Sequence, residues 1–87
     1  MFVDVENAKV HLLYAQALAK TGDHTKAIFE LESALACSPA APDAATAHAR
    51  LATEYLATGN RAKAKAEQAE ALRLDPSNAE AAALKIP

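Results

Sequence analysis

Few side chains in this 87-residue chain can carry chemistry, and their spacing limits what they can do. Histidine is the commonest metal ligand and the usual proton shuttle near neutral pH. His11, His24 and His48 are the three present, and none has a second ligand three or four residues away to share a helix face. They are expected to be partly buried packing side chains with no metal bound, His24 lying in a turn. Cys37 is the single cysteine, so an internal disulfide is excluded, and an inert buried thiol is expected. Ser33, Ser38 and Ser77 lack a nucleophile-elbow context, and two glycines, Gly22 and Gly59, cannot form a glycine-rich phosphate loop. Glu30, Glu32, Glu67 and Glu70 are expected as solvated charges on helix faces. No catalytic constellation and no cofactor site follows, so the expectation is a protein that is not an enzyme.

Composition narrows the partners. The formal net charge of −2 argues against nucleic acid, whose binders cluster Lys and Arg to displace counterions from phosphates. The densest basic stretch, Arg61, Lys63 and Lys65, is followed at once by Glu67 and Glu70. No apolar run approaches the roughly 18 residues of a membrane span, and no basic start followed by an apolar stretch marks a secretory signal. Hydrophobic residues make up 52% of the chain but aromatics only 5%, with alanine prominent. Alanine favours helix and buries little area, so close helix approach must replace bulky interdigitation.

These residues are positioned by a repeat. An offset of 37 residues carries Thr21-Gly22 to Thr58-Gly59, His11 to His48, Ala15 to Ala52 and Ala27 to Ala64. The same offset carries Glu30 to Glu67, Ala34-Leu35 to Ala71-Leu72, and Pro39 to Pro76. A second echo, Asp4-Val5-Glu6-Asn7-Ala8 with Asp75-Pro76-Ser77-Asn78-Ala79, has an offset of 71, which suggests a 34-residue unit with about three residues added near Pro42 to Ala44. Within each unit the pattern predicts helix, tight turn, helix. Val10, Tyr14, Ala17 and Leu18 recur at helical spacing, Gly22 permits a left-handed stop, and Asp23 caps a second helix carrying Ala27, Ile28, Leu31, Ala34 and Leu35. Ser38-Pro39 ends that helix. His48, Leu51, Ala52 and Tyr55, then Gly59-Asn60, then Ala64, Ala71 and Leu72 repeat the design. Asp75-Pro76-Ser77-Asn78 closes it and caps a last helix from Ala79 to about Lys85. Turns this short force the two helices of a unit to run antiparallel.

The period, the Gly22-Asp23 turn, Ala15 before it, Ala27 after it and the ending Ala71-Leu72-Arg73-Leu74-Asp75-Pro76-Ser77-Asn78 together resemble the tetratricopeptide repeat family. The resemblance spans roughly residues 8–86. It implies an all-α fold of right-handed helical-hairpin repeats, an α-α superhelix. Repeat one would cover about 8–41, repeat two about 45–78 and a C-terminal capping helix about 79–86. Three departures stand out. The early aromatic slot holds His11 and His48, Leu31 becomes Gln68 in the second repeat, and Ile28 becomes Lys65. The second repeat is thus more polar where a further unit would stack, as a water-facing end requires.

Members of that family commonly bind an extended peptide along the surface formed by the first helices. Carried over by position, this surface would comprise Lys9, Leu12, Leu13, Gln16 and Lys20 from the first repeat, and Thr46, Ala49, Arg50, Thr53 and Ala57 from the second. It reads as mildly basic with an apolar spot at Leu12, suited to an acidic or carboxylate-ended segment. The Lys and Asn pair with which some members clamp a chaperone's C-terminal carboxylate is replaced by Leu12 and Gln16. The expected partner is another protein or peptide, with no nucleic acid and no membrane insertion. An alternative is self-association into a homo-oligomer. Phe2, Val3, Val5, Val10, Leu12, Leu13, Tyr14, Ile28 and Phe29 concentrate bulky apolar groups in the N-terminal half. Leu12 and Leu13 cannot both enter one seam alongside Tyr14, so either the N-terminal strip packs under them or they meet something outside the chain. Residues 4–8, similar to a repeat's tail, suggest a segment of a larger protein.

Overall fold

The computed structural model describes residues 5–37 and 39–86, the side chains of residues 5 and 6 excepted. The order is α1 (Val5–Lys20), α2 (His24–Ala36), α3 (Ala41–Ala57), α4 (Arg61–Leu74) and α5 (Ala79–Ala83), with no strand among the described residues. Among the described residues, no helix is long and apolar enough to cross a membrane.

The two hairpin turns share one construction. Gly22 and Gly59 sit at φ of 84° and 85°, a region open to glycine because a Cβ would strain there. Each allows a paired closure of the preceding helix. The Asp23 N–H donates to the Leu18 carbonyl at 3.0 Å and the Gly22 N–H to Ala19 at 3.1 Å. One repeat on, Asn60 donates to Tyr55 at 2.7 Å and Gly59 to Leu56 at 3.1 Å. Orphan carbonyls at both helix ends are thereby satisfied. Asp23 Oδ1 then accepts from the Lys26 N–H and Asn60 Oδ1 from the Lys63 N–H, each at 3.2 Å, opening the next helix.

Element boundaries differ from the sequence expectation in three places. The residues inserted near Pro42 form the first turn of α3 rather than a spacer between the repeats, with Pro42 at a position whose missing N–H costs nothing. The echo between Asn7 and Asn78 does not extend to capping. Asn78 caps α5, its Oδ1 accepting from the Ala81 N–H at 2.9 Å, whereas α1 runs back through Asn7 to Val5. Val5-Glu6 are compatible with helix where Pro76-Ser77 break it. Finally, α5 stops at Ala83 rather than near Lys85, and the Leu84 N–H donates to the Ala81 carbonyl at 3.2 Å. Ser38 and the Phe2-Val3 strip lie outside the described residues.

Packing follows from small residues. Among the described residues, eleven of the fourteen buried hydrophobic side chains are alanines, so helix backbones meet closely and the bulk comes from Leu12, Leu31 and Leu51. Those leucines join Ala15, Ala34 and Ala47 in one cluster across α1, α2 and α3, flanked by Ile28, Leu35 and Tyr55. A smaller cluster, Ala49, Ala71 and Ala81, seats α5. Helix α2 packs on α3 to join the hairpins, and α3 touches both α1 and α5, while α2 and α4 do not touch. The first helices thus form an inner layer.

The apolar face of α1 is corrected by the structure. Ala8, Leu12 and Ala15 are its buried stripe, while Val10, Tyr14 and Ala17 face solvent. The helical period identified apolar residues but not which side of α1 has a neighbour.

Candidate protein-binding groove

The sequence-derived surface residues mostly converge on the inner layer. Lys9, Leu12, Leu13, Gln16, Thr46 and Arg50 line one depression of about 300 Å³ together with Asp43. Gln16, Lys20, Arg50 and Thr53 line an adjoining one of about 520 Å³, with Ala15, Ala19, His24, Leu31, Glu54 and Glu80. Gln16 and Arg50 belong to both, so the two form one groove between α1 and α3, with α5 at its edge. Ala57, the last residue of α3, is exposed beyond it.

Two expected contact residues are floor rather than surface. Leu12 is 7% exposed and Ala49 fully buried, because each points into a helix–helix seam. Leu13, at 67% exposure, presents the apolar spot expected at Leu12.

The charge pattern also differs. Arg50 reaches across the groove rather than into solvent. Its Nε lies 3.4 Å from Glu80 Oε2 on α5, and its Nη1 donates to the Leu12 carbonyl at 3.4 Å. Glu54, only 5% exposed, is held by His24 Nδ1 from the start of α2. Asp43, Glu54 and Glu80 therefore set three carboxylates against Lys9, Lys20 and Arg50. Since Arg50 answers Glu80 and His24 answers Glu54, Lys9 and Lys20 are the groove cations without an ion-pair partner among the described residues. Asp43 is the groove carboxylate without an ion-pair partner among the described residues.

The three histidines are partly buried, as expected, and each is bonded to a carboxylate. His11 Nδ1 lies 3.0 Å from Glu30 Oε1, and His48 Nδ1 lies 2.6 Å from Glu67 Oε1, each pair tying the two helices of one hairpin. An ionised carboxylate can only accept, so each ring N–H donates. Glu30 and Glu67 are accordingly half-buried partners and not the solvated charges expected; Glu32 is exposed, and Glu70 pairs with Arg73 on the surface of α4. The bonded Arg73 guanidinium lowers the Glu70 carboxyl below its ordinary range. His24 is the first residue of α2, not part of the turn. No group of three or more potential metal ligands occurs among the described residues. Cys37 is half-buried at the end of α2, its N–H donating to the Ala34 carbonyl at 3.2 Å.

Some of this was readable beforehand. His11, His48, Glu30 and Glu67 share the 37-residue offset, and two donors and two acceptors repeating in step are the signature of a repeated pair. Glu54 had no such signal, because its counterpart one repeat earlier is Ala17. Glu80 enters only through the placement of α5.

Antiparallel helix pairs stacked side by side, with an open groove along the first helix of each, define a helical-repeat scaffold. Family models described as tetratricopeptide repeat match residues 8–51 and 45–78, and the chain belongs to that family. No curated protein matches the chain. The family is a non-catalytic repeat module that generally mediates binding to other proteins or peptides.

Proposed function

We propose that the groove between α1 and α3 holds an extended segment of a partner protein that carries carboxylates and one large apolar side chain. The observation that carries this reading is the placement of Lys9 and Lys20, without ion-pair partners among the described residues, on the same groove as the exposed Leu13. Leu13 would seat the apolar side chain, Lys9 and Lys20 would meet acidic groups at either end, and Gln16, Thr46 and Thr53 supply polar contacts to an extended backbone. Leu12 and Ala49 serve as floor, and Ala57 marks the far end of the surface.

A random peptide display library tests this directly. Selection on the native chain should enrich acidic sequences with a single bulky apolar residue. The triple variant Lys9→Glu, Lys20→Glu, Arg50→Glu, with its helix content checked by circular dichroism, should lose that selection. Equal enrichment by a folded triple variant would remove the groove assignment.

The second reading is self-association through the apolar N-terminal half. Val10, Leu13, Tyr14 and Phe29 are all more than half exposed, which favours it, although the buried Leu12 cannot contribute. Sedimentation equilibrium distinguishes the two readings, since a monomer at high concentration is incompatible with a homo-oligomer.

A further inference from the structure

The internal repeat allows one surface to be read from another. Shifted by 37 residues, Val10 corresponds to Ala47 and Tyr14 to Leu51. Ala47 and Leu51 are 0% and 3% exposed, clustered with Leu31 and Ala34 of α2, whereas Val10 and Tyr14 are 58% and 57% exposed. The positions that α3 uses to receive α2 are therefore apolar on α1 as well, and no described helix covers them. Leu13 and Phe29 do not belong to this face. Their counterparts are Arg50 in the groove and the exposed Ala66.

We infer that the outer face of α1 is a docking surface for an amphipathic helix built like α2. Such a helix would present a large aliphatic residue with an alanine three and an aliphatic four positions later, as Leu31, Ala34 and Leu35 do, and another aliphatic one turn before, as Ile28 does. The surface continues the α2–α3 seam by one step. Helices meeting this way bury alternating large and small side chains, so Val10 and Tyr14, larger than Ala47 and Leu51, call for at least as much alanine in the partner. The opposite end of a second copy does not qualify as the occupant. On α4 the residues corresponding to Ile28 and Leu31 are Lys65 and Gln68, and α5 already packs there. This inference is independent of the groove reading.

The test supplies the helix in register. Joining a copy of residues 5–37 directly to Met1 of the full chain leaves residues 1–4 between the copied Cys37 and Val5. The native chain also has four residues, 38–41, between Cys37 and Pro42, the counterpart of Val5. In the native α1 of this fusion, amide exchange over residues 8–18 should slow by about tenfold or more, and unfolding should remain a single transition at higher temperature. A second fusion carries Ile28→Lys and Leu31→Gln in the copy alone, and should show neither effect. Unchanged exchange in α1 with the native copy attached would overturn the inference. Equal protection by the Lys and Gln copy would do so too, as would protection that appears in the unfused chain simply on raising its concentration, since the occupant would then be a second copy.

Discussion

His48 and Glu67 lie 19 residues apart in sequence and 2.6 Å apart in space, and His11 and Glu30 repeat that relationship in the other hairpin. A hydrogen bond between half-buried groups contributes about 0.5–1.5 kcal/mol, and the same bond at the same place in each repeat should contribute similarly in both. Urea unfolding of His48→Ala, Glu67→Ala and the double variant should give a coupling energy in that range, with a matching value for His11 and Glu30. Coupling near zero in both hairpins would reduce these pairs to coincidental neighbours.

His24 and Glu54 join different repeats, and their burial is unequal. Glu54 is nearly enclosed while its histidine partner is more than a third exposed. Removing the histidine strands a carboxylate, so His24→Ala should cost about 1–3 kcal/mol. His24→Ala combined with Glu54→Leu should recover much of that loss, because an apolar side chain in this place no longer needs a partner. Chemical denaturation of the single and double variants is the measurement, and a double variant less stable than His24→Ala would refute the argument.

The hairpins, their turns and their repeat were legible because each rests on local chemistry. Gly22 and Gly59 supply a backbone conformation that few residues adopt, Asp23 and Asn60 cap, and alanines recur with the helical period. What was not legible depends on which neighbour is present. Val10, Tyr14 and Ala17 have the spacing of a buried stripe, yet the buried stripe is Ala8, Leu12 and Ala15, since α2 and α3 lie on that side. Arg50 looked like a free cation of the groove until α5 brought Glu80 to it from 30 residues away. Pair chemistry across helices becomes visible in sequence only when the repeat copies it, as with His48 and Glu67.

Gln68 stands where the first repeat has Leu31, and its role is specific. Its Nε2 donates to the carbonyls of Ala81 at 2.8 Å and Leu84 at 2.9 Å, tying down the end of a five-residue helix too short to persist alone. Gln68→Leu restores the apolar residue but loses both bonds, and α5 should open more easily by about 1–2 kcal/mol. Hydrogen exchange should quicken in α5 while α1 and α2 keep their rates. Unaltered exchange at Ala82 and Leu84 would show that the apolar seat of Ala81 suffices.

Tyr55 should make the stability of the fold decline at alkaline pH. Burial raises its phenol above the ordinary value, and the carboxylates of Glu32 and Glu67 add to the effect, while Lys63 lies 5.5 Å from the ring centre. The folded state favours the neutral phenol. Its contribution is therefore complete below the unfolded value of about 10 and is lost as pH rises through the higher folded value. Tyr14→Phe leaves Tyr55 as the one tyrosine, so tyrosinate absorbance then reports it alone. Ionisation of the folded chain should occur above that of the urea-unfolded chain, and Tyr55→Phe should flatten the alkaline loss of stability. Coincident titrations in the two states would contradict this account.

Glu80 competes for the guanidinium that an acidic ligand would use. It is half exposed on α5, with Arg50 Nε 3.4 Å away. An exposed ion pair of this kind contributes about 0.2–1 kcal/mol, so an incoming carboxylate can replace Glu80 at little cost. Glu80→Gln should therefore leave the fold intact and tighten binding of an acidic peptide recovered from the display selection by about two- to fivefold. Arg50→Met should weaken the same peptide in both backgrounds and abolish the gain from Glu80→Gln. Fluorescence anisotropy with the labelled peptide at two salt concentrations makes the comparison, and the advantage of Glu80→Gln should shrink at the higher one as the charges are screened. If the peptide binds the native chain but Glu80→Gln changes nothing, the groove stands as a binding surface and Arg50 is simply the strut that fixes α5.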